Sequence, residues 1–246
     1  MKRGFVGLLV ASVFAVSSAA VAETLSELPF AKKLKLAQVG DEDAQMAVAS
    51  AYESGGSEAK KNIAEAAKWY REAALAGNIE AEFRLARLVS KGAKGLTKDL
   101  KTAAKLYEAA ANSGHLESQN AMGLAYQNGL GVEVNEAKAV EWYKKAANGN
   151  LAAAQNNLGI LFLNGKGVER NVAEAFKLFE MAAKQGDGWG LNNLGGMYEM
   201  GWGAAKDRAK AASYYKQAAE KGIEPAQANL ARLSPAAAPA TPVTLN

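Results

Sequence analysis

The sequence contains no cysteine, which excludes disulfide bonds, thiolate metal sites and cysteine nucleophiles. It contains one histidine, His115, and no recognisable partners for a histidine-based metal site or hydrolytic triad. We therefore predict no metal site, no cofactor and no catalytic residue, and a protein that is not an enzyme.

A strong charge imbalance is also missing. The formal net charge is +4 at pH 7, and lysine and arginine are spread along the chain as on solvated helix faces. Nucleic-acid binding proteins instead concentrate positive charge in a patch or stripe. We therefore predict no nucleic-acid partner.

One uncharged, mostly apolar run stands near the amino terminus. Residues 5–16 follow Lys2 and Arg3 and lead into an Ala-Val-Ala sequence that ends at Ala22. This order is typical of a secretory signal peptide. We predict cleavage after Ala22, a periplasmic location and no membrane insertion after cleavage. The alternative is an uncleaved membrane anchor, because residues 4–22 are uncharged and nearly long enough to span a bilayer.

An internal repeat dominates the rest of the chain. Aromatic residues recur at intervals of 36 or 37 residues, at Tyr70, Tyr107, Tyr143, Phe179 and Tyr215. An apolar ladder keeps the same spacing, at Val48, Leu85, Met122, Leu158, Leu194 and Leu230. Such a period predicts a stack of identical supersecondary units.

Each repeat reads as two helices. Asparagine or aspartate, both favoured N-cap residues, precedes each second helix, at Asn62, Asp99, Asn135, Asn171 and Asp207. Glycine closes these helices at Gly40, Gly77, Gly114, Gly186 and Gly222, and Asn150 fills the remaining slot. Glycines at a fixed position of three first helices predict close helix approach, at Gly123, Gly159 and Gly195.

Two short motifs suggest chemistry and are explained better by the repeat. Ser57 and Lys60 form a Ser-x-x-Lys element of the kind found in serine hydrolases, but one such match is expected by chance and no Lys-Thr-Gly follows. The Gly-x-Gly sequences at Gly129 and Gly165 follow predicted helices, whereas a phosphate loop follows a strand. We interpret both glycine motifs as turns.

Residues 121–131 (Ala-Met-Gly-Leu-Ala-Tyr-Gln-Asn-Gly-Leu-Gly) and 139–147 (Ala-Val-Glu-Trp-Tyr-Lys-Lys-Ala-Ala) carry a family resemblance. This pattern resembles the Sel-one-like repeat, a relative of the tetratricopeptide repeat, over about residues 41–233. The resemblance implies an all-α, right-handed alpha-alpha superhelix, or solenoid, of about five repeats, with a concave face for protein contacts. Similar bacterial proteins act as envelope adaptors, as platforms for cell-wall enzymes or as immunity partners of toxins.

These observations predict four segments. They are a signal peptide (1–22), an N-terminal capping helix (23–40), the repeat solenoid ending in a half repeat (41–233) and a disordered Ala/Pro-rich tail (234–246). We expect the mature protein to be a monomer or weak oligomer with a protein or peptide partner in the cell envelope.

In related solenoids the first helix of each repeat lines the concave groove. There we expect an exposed asparagine ladder that pairs with the backbone of an extended peptide, formed by Asn120, Asn156 and Asn192. Apolar residues beside it complete the predicted site, namely Leu124, Ile160, Leu163 and Trp189. Leu124 and Ile160 are equally explained as core between repeats, and the asparagines as a solvated face. The alternative site is the C-terminal edge, with Trp202 and Met200.

Three functions remain open at this stage. The preferred one is a periplasmic scaffold or adaptor that binds a protein or extended peptide on the concave face. The alternative is an immunity or inhibitor protein that neutralises a secreted toxin or envelope hydrolase. A serine hydrolase is a distant third.

Overall fold

The computed structural model describes residues 25–233, and regular secondary structure in that range is helical apart from one isolated bridge between Ala93 and Leu96. This confirms the all-α fold class. The predicted signal peptide, residues 1–22, and the predicted tail, residues 234–246, lie outside the described range.

The chain divides into two compact units. The first comprises the described residues up to Leu88 together with Gly92–Thr97, and the second comprises Val89–Lys91 and the described residues from Lys98. Helices α1 to α3 and most of α4 belong to the first unit, with bounds α1 Phe30–Gln38, α2 Glu42–Ser54, α3 Ile63–Leu75 and α4 Ile79–Lys91.

The second unit contains the remaining helices. Their bounds are α5 Leu100–Asn112, α6 Leu116–Asn128, α7 Glu136–Asn148, α8 Ala152–Asn164, α9 Val172–Lys184, α10 Gly188–Met200, α11 Arg208–Glu220 and α12 Glu224–Leu233. Each repeat is one helix–turn–helix pair, whose first member we call the A helix and whose second we call the B helix. The A helices are α2, α4, α6, α8 and α10. Helix α1 precedes them as a lone B helix, and α12 follows as the predicted half repeat.

The predicted caps begin and end these helices. Side chains of the five predicted N-cap residues accept backbone N–H groups three residues later at 2.9–3.2 Å. Asn150 has φ +68°, the left-handed conformation that glycine adopts in the other repeats. His115 caps α6, since its Nδ1 accepts the N–H of Ser118 at 3.2 Å. The single histidine therefore has a structural role.

Small and large residues interlock inside the third and fourth repeats. Tyr143 and Phe179 on B helices are almost fully buried. Each ring packs over the glycine of its own A helix, because a β-carbon on Gly123 would lie 2.5 Å from Tyr143 and one on Gly159 would lie 2.7 Å from Phe179. The predicted close approach is thus confirmed, and the aromatic ring is the group that requires it.

The Gly-x-Gly turns also have a packing role. Gly131 has φ +81°, and a β-carbon there would lie 2.0 Å from the carbonyl oxygen of Leu100. A β-carbon on Gly167 would likewise clash with the backbone of Glu136. In each turn the second glycine lets the A–B connection of one repeat lie against the start of the preceding B helix, which confirms the turn interpretation.

The Ser-x-x-Lys element is held by a different contact. Ser57 and Lys60 are exposed in the turn between α2 and α3. Glu58, between them, accepts from the buried ammonium of Lys33 at 2.9 and 3.1 Å. The turn therefore serves as the partner of a charge on α1, since a buried lysine needs such a counterion.

Candidate functional site

The candidate site is the side of the A helices in the second unit that carries the asparagine ladder, which we call the A face. On α8 it consists of Asn156, Ile160 and Leu163, spaced i, i+4 and i+7 and hence on one side of the helix. Equivalent positions on α6 are Asn120, Leu124 and Gln127, and those on α10 are Asn192, Gly196 and Glu199. The three predicted asparagines and three predicted apolar residues therefore share one register.

The asparagine ladder is paired along its length. Asn157 Nδ2 donates to Asn120 Oδ1 at 3.0 Å, Asn193 Nδ2 to Asn156 Oδ1 at 2.8 Å, and Asn229 Nδ2 to Asn192 Oδ1 at 3.1 Å. The first two bonds join one A helix to the next, and the third joins α10 to the half repeat α12. The donors were not predicted from the sequence, although Asn157 and Asn193 directly follow ladder residues and Asn229 keeps the same one-repeat spacing.

This pairing corrects the expectation that all three ladder residues are exposed. Asn156 is only 6% exposed, because the adjoining repeat packs over its side-chain oxygen. Asn120 and Asn192 are half-buried. The ladder therefore stabilises the contact between repeats in addition to any role in binding.

The pairing leaves hydrogen-bonding capacity unused. Within residues 25–233 the Nδ2 groups of Asn120 and Asn156 donate to no acceptor, and neither atom is sealed from solvent. The Oδ1 atom of Asn157 likewise accepts no hydrogen bond within that range. Asn192 differs, because its Nδ2 contacts Asn193 Oδ1 at 3.4 Å. Two donors, one repeat apart, and one acceptor therefore have no hydrogen-bond partner among the described residues.

Apolar side chains flank these amides. Leu124 is 38% exposed, so it is not part of a sealed core. Ile160 and Leu163 are half-buried and pack against the core cluster of α9 to α12 that includes Phe179 and Leu194. For Ile160 the two sequence interpretations both apply, because one side of the residue packs inward while the other remains accessible.

A buried carboxylate marks the last A helix. Glu199 is 9% exposed and accepts from Tyr215 Oη at 2.9 Å and from Arg232 Nη2 at 3.0 Å. The hydrogen bond from Arg232 is the main cause that holds the pKa of Glu199 below its usual range, against desolvation. Burial, followed by the bond to Glu199, raises the pKa of Tyr215. The cluster ties α12 to the fifth repeat.

The first unit has the same cluster at equivalent repeat positions. Tyr70 Oη donates to Glu53 Oε2 at 2.8 Å, and Arg87 also pairs with Glu53. Burial, reinforced by Glu53, raises the pKa of Tyr70 to about 12, so its hydroxyl stays a donor at physiological pH. Sequence reasoning missed both clusters because their members lie in different helices.

The alternative edge site also exists as an exposed surface. The edge residues Met200 and Trp202 are 60% and 42% exposed, and Trp189, which was predicted as part of the groove site, is 50% exposed. Trp189 starts α10 and Met200 ends it, while Trp202 lies in the turn that follows. These side chains remain available for contact, so the structure leaves both candidate surfaces in place.

Among residues 25–233 no group of three or more histidine, aspartate or glutamate side chains is arranged to hold a metal ion. Within the same residues, no helix has both the length and the apolar character needed to cross a bilayer.

The repeats match a known family model. The Sel1 repeat model matches residues 42–78, 79–115, 116–151, 152–187 and 190–223. The chain belongs to the Sel1 repeat family. Sel1 repeats mediate protein–protein interaction. A comparison with curated protein sequences gives no match.

Solved structures share this fold. A protective antigen of uropathogenic Escherichia coli with an SLR fold is 31% identical, with a TM-score of 0.77 over 84% of this chain and 44% of the antigen. The chain thus spans less than half the length of that antigen. A Sel1 repeat protein from Oxalobacter formigenes is 29% identical, with a TM-score of 0.76 over 85% of this chain and 86% of its own. An immunity protein from Pseudomonas aeruginosa is 24% identical with a TM-score of 0.51 over 75% of this chain and 66% of its own, which shows the fold alone.

Proposed function

We propose that this Sel1 repeat protein is an exported adaptor that binds an extended segment of a partner protein on the A face. One observation carries the proposal, namely the unused Nδ2 donors of Asn120 and Asn156, one repeat apart and beside accessible Leu124 and Ile160. A main chain in extended conformation offers carbonyl acceptors at regular intervals, so such donors bind it without reading its sequence. Leu124 and Ile160 then contact its side chains.

The location of the adaptor is part of the proposal. Residues 1–22 have the order of a signal peptide, which supports export to the periplasm and release as a mature chain beginning at Glu23. Sequencing the amino terminus of the protein recovered from the envelope tests this step. A chain that still begins at Met1 in the membrane fraction contradicts it.

The partner is sought by pull-down from envelope extract, followed by titration calorimetry. Replacing Asn120, Asn156 and Asn192 together by alanine is expected to weaken binding by about 1–3 kcal/mol, since it removes the two unused Nδ2 donors of Asn120 and Asn156 and each net hydrogen bond contributes roughly 0.5–1.5 kcal/mol. Ile160→Asp is expected to weaken binding at least as much, because it places a charge in an apolar contact.

A matched pair of variants separates binding from folding. Asn120→Ala and Asn157→Ala both break the same amide pair, but Asn120→Ala removes an unused Nδ2 donor whereas Asn157→Ala removes an unused Oδ1 acceptor. We expect a larger loss of affinity for Asn120→Ala at similar loss of stability. Unchanged affinity in the triple asparagine variant, with a loss in Trp202→Ala, moves the site to the C-terminal edge.

The inhibitor alternative makes a different prediction. If the captured partner is one toxin or hydrolase, addition of the protein in equal amount abolishes its activity. An adaptor instead leaves the catalytic activity of its partner intact and links that partner to a second protein. An activity assay on the captured protein distinguishes the two functions.

A further inference from the structure

The A helices of the second unit carry few charged side chains, although Arg170, in the turn after α8, donates to the backbone carbonyl of Leu163 at 2.9 Å. Helices α6, α8 and α10 have 13 residues each and contain no lysine, arginine or histidine. Their two carboxylates are Glu117, in the first turn of α6, and Glu199, which is neutralised by Arg232. By contrast, the B helix α7 alone carries Lys138, Lys144 and Lys145. A surface without charge favours a ligand without charge, because a charged ligand would lose its hydration there and gain no counterion.

The chain itself contains such a segment. Residues 234–246 read Ser-Pro-Ala-Ala-Ala-Pro-Ala-Thr-Pro-Val-Thr-Leu-Asn and have no charged side chain. They follow Leu233 at the end of α12. On that helix, Asn229 and Arg232 bond to Asn192 and Glu199 of the A face. The last described helix, α12, therefore packs at one end of the A face.

The segment is long enough to cover that face. Proline-rich chains extend by about 3.1 Å per residue, so 13 residues reach roughly 40 Å. Packed helices lie about 8–10 Å apart, and three steps from α12 to α6 require about 30 Å. A segment of this length can thus reach Asn156 and Asn120 of the same molecule.

The hydrogen-bonding groups also match. Three of the 13 residues are proline, which has a carbonyl acceptor and no N–H donor. The unused Nδ2 groups of Asn120 and Asn156 can donate to such carbonyls. Leu124 and Ile160 offer apolar contact to alanine, proline and valine side chains.

We propose that residues 234–246 bind along the A face of their own chain and compete there with the partner. This inference rests on the surface assigned under the proposed function. Because the segment is tethered, its effective concentration is of millimolar order, so even a weak contact occupies the face. A segment bound nine-tenths of the time lowers the apparent partner affinity about tenfold.

The absence of cysteine makes a direct test possible in the full chain. Thr244→Cys introduces a single thiol for a nitroxide spin label, and paramagnetic broadening of the backbone amide signals is then measured. We expect the Leu124 amide signal to lose more than half its intensity, to the same extent at all protein concentrations. Adding Ile160→Asp to the labelled chain should restore the Leu124 signal.

Each outcome decides the inference. A Leu124 signal of full intensity overturns the inference. Broadening that increases with protein concentration overturns binding within one chain, and it shows instead that the segment of a second copy binds the A face. The labelled chain is measured without any partner. Its result therefore decides the inference independently of the proposed function. Once a partner is known, Val243→Asp in the full chain should raise partner affinity up to about tenfold. Equal affinities overturn the competition.

Discussion

A β-carbon on Gly159 would lie 2.7 Å from Cε1 of Phe179, closer than such atoms normally approach. Phe179 is 1% exposed and packed on all sides, so the ring has little room to withdraw. The same relation joins Gly195 to Tyr215, with a β-carbon 2.9 Å from the ring. The missing side chain thus sets how closely the two helices of a repeat pack.

Gly159→Ala is therefore expected to destabilise the protein despite the better helix propensity of alanine. Overpacking a core position costs about 1–3 kcal/mol, and the gain in propensity offsets up to about 1 kcal/mol. The free energy of unfolding in urea measures the difference. The control is Gly196→Ala, because a β-carbon there meets only the Tyr215 hydroxyl at 3.5 Å. We expect Gly196→Ala to be neutral or stabilising, and equal losses in the two variants contradict the assigned packing.

Asn193→Ala is expected to weaken the contact between the fourth and fifth repeats. It leaves the side-chain oxygen of Asn156 buried without a donor, which costs about 1–3 kcal/mol. A double-mutant cycle with Asn156→Ala should give a coupling energy of at least about 0.5 kcal/mol. Asn164→Ala, at an exposed position on α8, serves as the neutral control. Additive effects in the cycle show that the amide pair contributes nothing.

Glu82→Gln is expected to stabilise the protein at neutral pH. At equivalent positions Gln45, Gln119 and Gln155 donate to a backbone carbonyl of the preceding B helix at 3.1–3.4 Å, which a carboxylate cannot do. Desolvation raises the pKa of Glu82, so the ionised form opposes folding. The penalty is complete above the raised pKa and vanishes as pH falls below the ordinary glutamate value. The free energy of unfolding of wild type and of Glu82→Gln is measured across this pH range. We expect the stability advantage of glutamine to shrink as the pH falls, and a constant difference contradicts the prediction.

Glu199→Gln is expected to have the opposite pH dependence. Arg232 holds the pKa of Glu199 below its usual range, so its carboxylate stabilises the fold above the ordinary glutamate pKa. This stabilisation is lost as pH falls through the lowered pKa. We therefore expect the difference between wild type and Glu199→Gln to be largest near neutral pH and to disappear in acid. Hydrogen exchange of α12 amides should follow the same trend, with Glu220→Gln as the exposed control.

The repeat period, the caps and the close-approach glycines were all predictable because each is a local pattern with a one-repeat spacing. The hydrogen-bond partners of Asn120 and Asn156 were not predictable. An asparagine that faces solvent and an asparagine that pairs across a repeat interface recur in the sequence with the same one-repeat spacing. The side-chain amides of Asn157 and Asn193 decide between them only through three-dimensional contact. The same applies to Glu199, whose partners stand 16 and 33 residues away along the chain.

The amide pairs between successive A helices also determine how the second unit responds to a pulling force. Each pair connects only adjacent repeats, so tension applied to the carboxyl end is resisted first where Arg232 holds Glu199, and then at one interface after another. A repeat of 36 residues yields about 120–130 Å of extended chain when it opens. The second unit should therefore lengthen in steps of one repeat, and keep its remaining repeats folded, under loads that would unravel a domain with a single core all at once.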